Sequence, residues 1–307
     1  MCLCIDLLVS LTFELFLANS ISSLSGFAWD GLLKAREVEE HSNELLNEIY
    51  LQEENNMRMK SFPSLEEVEQ IIGYNFNDRD LLEEAFTHPT YKGSCFSYRR
   101  LEYVGDSVLN LLITKEQFFL YPDFSPGLLS PLRAANVDTE KLARVAVQHK
   151  LHRYLRHRHP VLINQIQEFI AVLPRHPLHS NGLINAPKFL ADIVESTIGA
   201  TFVDSNSSID TTWKVAKGLL QPLITPELLG AHPVKKLYET CQKNGLKVRV
   251  VDRWLKEGAY EIIVGNRLKG RGSCRSKKEI ALNRAANNAY EELVRELGLK
   301  DSVGGYG

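Results

Sequence analysis

Between residues 61 and 224 apolar residues recur every three or four positions, in blocks divided by Pro, Gly and polar turns. That is the period of helices with one buried face. SFPSLEEVEQIIGYNF (61–76) puts Leu65, Val68, Ile71 and Ile72 on one stripe, and Ser64 followed by Glu67 makes a capping box at its start. NDRDLLEEAFTH (77–88) repeats the pattern with Asn77 as its cap. The same period returns in RRLEYVGDSVLNLL (99–112), in 127–157, in NQIQEFIAVL (164–173), in APKFLADIVESTIGATFVDS (186–205) and in 209–224. Pro122, Pro126, Gly127, Pro160, Pro174, Pro177 and Gly182 mark the joins. No convincing alternating run interrupts these blocks, so residues 61–224 are expected to form an all-α domain.

After TPELLGAH (225–232), which reads as a linker, the pattern changes. PVKKLYETCQKNG (233–245) is a helix that opens on Pro and stops before Gly. KVRVVDRWL, AYEIIVG and RLKGRGSC are β-branched or alternating runs parted by turn residues, as in a three-stranded antiparallel sheet. SKKEIALNRAANNAYEELVREL (276–297) is a long helix with Ala281, Ala285, Ala286 and Ala289 at helical spacing. The order α-β-β-β-α describes a small α+β module with two helices on one sheet face. The chain is therefore multidomain: an N-terminal extension (1–60), an all-α domain (61–224), the linker (225–232), an α+β module (233–297) and a tail (298–307). The extension begins with an apolar run, but no Lys or Arg precedes Lys34, and Asp6 and Glu14 interrupt it. It fits a docked helix or loose extension better than a signal peptide or membrane span. Residues 34–60 read as a solvated helix.

Charge sharpens the division. Residues 232–297 hold fifteen Lys and Arg against eight Asp and Glu, while the whole chain carries −2. A cationic module is thus attached to an acidic body, and the module is the candidate for polyanion contact. HKLHRYLRHRHP (149–160) is a second basic cluster, either a guide for a polyanion or a solvated helix end. The five cysteines are odd in number and contain no C-x-x-C pair. This argues against a disulfide scaffold or structural zinc site and favours a reducing, intracellular compartment, nucleus or cytoplasm.

The chemistry lies in two acidic pairs. Glu102 and Asp106 are four apart in an otherwise apolar helix, and Asp192 and Glu195 are three apart in another. Both helices contain small residues (Gly105, Ser107, Ala191, Ser196, Gly199, Ala200) that let backbones approach closely. If the helices face each other, four carboxylates converge, and like charges that near cannot all stay ionised unaided. A hard divalent cation resolves the conflict, and two ions would suit in-line displacement at a phosphodiester. A purely structural pairing with Arg100, Arg133 or Lys188 is the competing explanation. A di-iron bundle is disfavoured, because no His has a Glu three positions before it.

RLEYVGDSVL, followed about 90 residues later by LADIVESTIGA, resembles the two acidic motifs of the ribonuclease III family. AFTHPTY (85–91) is similar to the segment that family carries upstream of the first motif, and residues 233–297 resemble a double-stranded RNA-binding domain. The wording is closest to plant ribonuclease III-like proteins. The resemblance implies an all-α endonuclease domain followed by an α+β RNA-binding domain. It implies cleavage of double-stranded RNA with Mg²⁺ or Mn²⁺ to 5′-phosphate and 3′-hydroxyl ends, by homodimers whose paired domains form a valley. No membrane partner is expected. Glu102, Asp106, Asp192 and Glu195 correspond to the metal-binding and catalytic acids, with Glu102 and Glu195 as direct ligands. Asp106 and Asp192 would be ligands or orienters of metal-bound water, and Lys188 either faces the scissile phosphate or is solvated. Glu239 and Gln242 correspond to minor-groove contacts, and Lys277 and Lys278 to phosphate contacts.

Three departures from the family pattern stand out: Arg99 where an acid is frequent, WLKEGAY in place of a Gly-Pro-x-His loop, and Glu279 and Leu282 at frequent lysine positions. They keep open an alternative, a catalytically weak or inactive binding protein that dimerises through the helical domain.

Overall fold

The computed structural model describes residues 63–91, 96–176 and 178–299. The expectations for residues 1–60, and for the tail beyond Leu299, lie outside them. The helical part runs α1 (Glu66–Ile72), α2 (Arg79–Ala85), α3 (Arg99–Leu120), α4 (Pro126–Val137), α5 (Thr139–Gln148), α6 (Pro160–Val172), α7 (Lys188–Asp204) and α8 (Ile209–Leu220). The only bridge in it among the described residues joins Thr87 and Arg156.

Helix α7 is the centre. From Phe189 to Thr201 every residue is buried except Glu195. A helix apolar or small on all sides must be enclosed, and α2, α3, α5 and α8 enclose it. Its hydroxyls are satisfied internally: Thr197 Oγ1 donates to the Ile193 carbonyl at 2.7 Å, and Ser196 Oγ to the Ala85 carbonyl at 2.8 Å. Its C-terminal end is pinned by Asp204, whose carboxylate accepts from the Tyr74 hydroxyl (2.6 Å) and the Asp78 N–H (2.8 Å).

Helix α3 crosses α7 at two glycines. A Cβ on Gly105 would fall 1.8 Å from the Glu195 carbonyl oxygen, and one on Gly199 would fall 2.1 Å from that of Leu101. The backbones touch because neither position has a side chain. On α3 the stripe Leu101, Gly105, Val108, Leu109, Leu112 faces inward. The opposite stripe Ser107, Leu111, Thr114, Phe118 is exposed, with Leu111 at 53% and Phe118 at 66%.

Several local expectations shift. The run 127–157 is broken, because Asp138 leaves helical geometry and its carboxylate caps α5 by accepting from the Lys141 N–H at 2.7 Å. Lys150 is left-handed (φ 59), and a 3₁₀ turn follows over Leu151–Tyr154. The basic cluster is therefore not a solvated helix end: Arg156 pairs with Glu83 and lies 4.7 Å over the Tyr91 ring. Ser64 Oγ caps the first turn through the Glu66 N–H, but the reciprocal half of the box is missing, since the Glu67 carboxylate accepts from the Tyr154 hydroxyl. The cap of α2 is Asp78, not Asn77, whose N–H groups donate to Asp204.

TPELLGAH contains a short helix, α9 (Pro226–Leu229), and Leu229 is buried with Leu132, Ala135 and Ile224. Then follow α10 (Pro233–Lys243), β1 (Val248–Arg253), α11 (Trp254–Glu257), β2 (Ala259–Val264), β3 (Arg267–Ser273) and α12 (Lys278–Leu297). The sheet is antiparallel in the order β1-β2-β3. One turn, α11, is additional: Asp252 accepts from the Trp254 N–H at 2.7 Å, so the first strand ends before Trp254. Leu237 and Cys241 of α10, Ile262 and Val264 of β2, and the Ala-rich face of α12 form a separate core.

The glycine contact makes a paired prediction. Alanine at an exposed helical glycine stabilises by about 0.5–1 kcal/mol, and Gly218 on α8 has open space around it. Gly218→Ala is expected to gain stability of that order in denaturant unfolding. Gly105→Ala and Gly199→Ala must force the helices apart and are expected to lose about 2–4 kcal/mol.

Candidate metal centre

The α3–α7 contact decides which side chains meet. Glu102 lies on α3 one turn before Gly105, and Asp192 and Glu195 lie on successive turns of α7. One carboxylate oxygen from each of these three falls within 4.8 Å of the others. Asp192 is buried, whereas Glu102 and Glu195 are half-exposed. Asp106 is outside this trio. It is exposed on α3, and its Oδ1 accepts from the Asn110 amide at 3.0 Å, yet its charge still acts on Glu195.

Lys188, at the start of α7, supplies the only cation hydrogen-bonded within the trio among the described residues. Its Nζ donates to Glu102 Oε1 and to Asp192 Oδ1. Burial works against the ammonium charge, but those two carboxylates outweigh it and hold the Lys188 pKa above the ordinary lysine range. Asp192 is pushed up by burial, with the hydrogen bond from Lys188 pulling the other way. Glu195 has no such partner. Burial, then the charges of Asp192 and Asp106, push its carboxyl up to about 7.

Two supporting residues were not apparent from the motifs. The Tyr98 hydroxyl donates to Asp192 Oδ2 at 3.1 Å, and burial with the Asp192 charge holds its proton on. Asn110 orients Asp106. Spacing could have flagged Asn110, which lies one turn after Asp106, whereas the partner of Tyr98 is 94 positions away. The AFTHPTY segment holds Tyr98 in place: the Thr87 carbonyl accepts from the Tyr98 N–H at 3.0 Å, and the His88 ring packs edge-on against Tyr98 and Phe189. Burial and the nearby His157, His159 and Arg99 lower the His88 pKa to about 4.

The residues expected to meet RNA lie elsewhere. Glu239 and Gln242 are exposed on α10, with Glu239 Oε1 3.8 Å from Lys235 Nζ. Lys277 caps the start of α12, and the Lys278 ammonium sits 5.9 Å from the Trp254 ring centroid. Lys277 shares a cavity lining with Lys188, but Glu239, Gln242 and Lys278 do not line it.

Known proteins are similar in sequence to this chain. The Ribonuclease III domain model matches residues 99–206, which span α3 through α7 and so both acidic pairs. Ribonuclease 3-like protein 3 of Oryza sativa subsp. japonica is 48% identical over 235 residues, covering 75% of this chain and 79% of that protein. Ribonuclease 3-like protein 2 of the same organism is 40% identical over 236 residues, covering 74% of each. Endoribonuclease Dicer homolog 1 of Arabidopsis thaliana is 43% identical over 235 residues, which cover 74% of this chain and 12% of that protein. Identity at this level over three quarters of the chain places it in the ribonuclease III family.

Proposed function

We propose that the protein is a metal-dependent endoribonuclease that cleaves double-stranded RNA as a homodimer. The convergence of Glu102, Asp192 and Glu195 across the α3–α7 contact carries the reading. Three carboxylates and no sulfur or imidazole suit a hard cation, Mg²⁺ or Mn²⁺. The ammonium of Lys188 between two of them supports the fit, because it shows the cluster taking up positive charge. A divalent ion held there would supply a nucleophilic water at neutral pH and polarise the phosphate. Glu102, Asp192 and Glu195 would be its ligands, Tyr98 would fix Asp192, and Asp106 would orient water on the open side. Lys188, released from its carboxylates, is placed to meet a phosphate oxygen. The water oxygen bonds to phosphorus as the P–O3′ bond breaks, the water gives up a proton, the departing O3′ takes one up, and the ends are 5′-phosphate and 3′-hydroxyl.

The α+β module acts as a double-stranded RNA-binding domain in this reading. A-form RNA offers its minor groove and phosphates rather than base edges in the major groove. Glu239 and Gln242 are assigned to the minor groove, and Lys277 and Lys278 to phosphates. At the start of α12 the helix dipole adds to those two charges. The exposed stripe of α3 (Leu111, Phe118) is the proposed face for the second copy.

Cutting of an RNA duplex in Mg²⁺, abolished by chelator and absent with single-stranded RNA or duplex DNA, is the expected outcome. Retardation of the duplex without cutting would instead indicate an inactive binding protein. Glu195→Gln should bind the duplex in Ca²⁺ as the wild type does, yet cut more than about a hundredfold more slowly, beyond what loss of a supporting partner costs.

A pH test addresses the same residue without RNA. The folded, metal-free protein holds a proton on Glu195 up to about pH 7, where an unfolded carboxyl has already released it. The native state thus binds more protons in that window, and stability falls as pH rises through it. Metal-free Glu195→Gln is expected to match the wild type near pH 4.5 and to exceed it by on the order of 2 kcal/mol at pH 8. Mg²⁺ should close the gap by stabilising only the wild type.

For the dimer, Phe118→Lys is expected to sediment as a monomer at micromolar concentration while the wild type sediments as a dimer. A monomeric wild type would remove the α3 stripe from the reading.

A further inference from the structure

The segment 180–187, which delivers the chain into α7, is held from two sides. On the helical body, Glu140 of α5 accepts from the Ser180 N–H at 3.1 Å and from the Ser180 hydroxyl. That hydroxyl oxygen accepts from the N–H groups of Leu183 and Ile184, each at 3.1 Å. On the C-terminal module, Arg284 of α12 donates through Nε to the Leu183 carbonyl at 2.9 Å and through Nη1 to the Ser273 carbonyl at 2.8 Å. One side chain therefore ties strand β3 to the segment. Asn185 donates to Ser276 Oγ at 3.0 Å. Asn283 is only 1% exposed, with its amide nitrogen over the carbonyls of Asn181 and Gly182. Gly182 is left-handed (φ +79), and a Cβ there would fall 2.5 Å from that nitrogen. Leu183 is five residues before Lys188, and Lys188, Lys277 and Arg284 line one cavity of about 430 Å³.

We infer that Arg284, with Asn283 beside it, is a positioning residue for the carboxylate centre. By gripping the Leu183 carbonyl it fixes the segment 180–187, and through it the first turn of α7, from which Lys188 reaches Glu102 and Asp192. The guanidinium suits this task, because its planar fork addresses two carbonyls with little further loss of freedom. The inference rests on the reading of Glu102, Asp192 and Glu195 as metal ligands and extends it. The module that would grip RNA also sets the geometry at which the ligands stand, so removing its contact degrades chemistry as well as RNA affinity.

The test uses the full chain with Arg284→Ala, Arg284→Lys, Gly182→Ala and Glu195→Gln. Three quantities are read: Mn²⁺ affinity by titration without RNA, kcat and KM on a defined RNA duplex, and hydrogen exchange over residues 183–192. Arg284→Ala is expected to weaken Mn²⁺ binding and lower kcat, each by about three- to tenfold, less than the roughly ten- to hundredfold cost of removing a direct partner of a metal ligand. Exchange over 183–192 should accelerate, and Arg284→Lys should recover part of every effect. Gly182→Ala presses on the same contact from the other side and should move the three readouts in the same direction. If Arg284→Ala raises KM but leaves kcat, Mn²⁺ affinity and exchange as in the wild type, Arg284 merely tethers the module and the inference is wrong. If Glu195→Gln binds Mn²⁺ like the wild type, the metal reading itself fails. Exchange over 183–192 then still decides whether Arg284 holds the segment, and unchanged exchange overturns it.

Discussion

The backbone of α3 rests on the backbone of α7 at Gly105 and Gly199, and the spacing of that contact governs every polar feature of the site. It brings Glu102 across to Asp192 and Glu195, so that three carboxylate oxygens share a space 4.8 Å wide. Two unit charges at that separation repel by about 3 kcal/mol at an effective dielectric near 20. Lys188 answers two of the three by direct hydrogen bonds. Glu195 has no such hydrogen bond, and burial with the charges of Asp192 and Asp106 outweighs the opposing Lys188 charge and raises its carboxyl to about 7. The lysine thus meets from within the chain the electrostatic need that the proposed divalent ion would meet from outside it.

The parts of the fold that follow from side-chain periodicity were legible. The helical blocks, the change of period after residue 232 and the α-β-β-β-α order all follow from where apolar residues recur, because burial of a face fixes them. What periodicity cannot carry is the competition between local partners. Asp138 interrupts a run that is apolar on both sides because its carboxylate serves a new helix start better than it serves a helix interior. Asn77 and Asp78 offer similar caps, and Asp204, 127 positions after Asn77, decides between them by engaging the Asn77 side chain and leaving the Asp78 carboxylate to the helix.

The site divides the same way. The acids and the small residues that let them converge could be read directly, since carboxylates in apolar helices demand compensation. Which three of the four acids share a cation-sized space depends on the crossing of α3 over α7, and no spacing within one helix encodes that. The lysine was visible in the sequence, but whether it faced solvent, phosphate or its own neighbours depends on the path of 180–187, held by α5 and α12. Tyr98 was hidden for a related reason: its hydroxyl reaches a residue 94 positions later.

Helix α7 carries one consequence beyond the chemistry. Between Phe189 and Thr201 every residue but Glu195 is buried, and of the side chains buried there only that of Asp192 belongs to the carboxylate trio. Divergence along this helix is therefore channelled. Most substitutions there threaten folding and would be lost with the protein, whereas a change at position 195 touches little of the core. A descendant that gave up the proposed chemistry could do so at a single codon and keep its architecture, so shape alone would not betray the change.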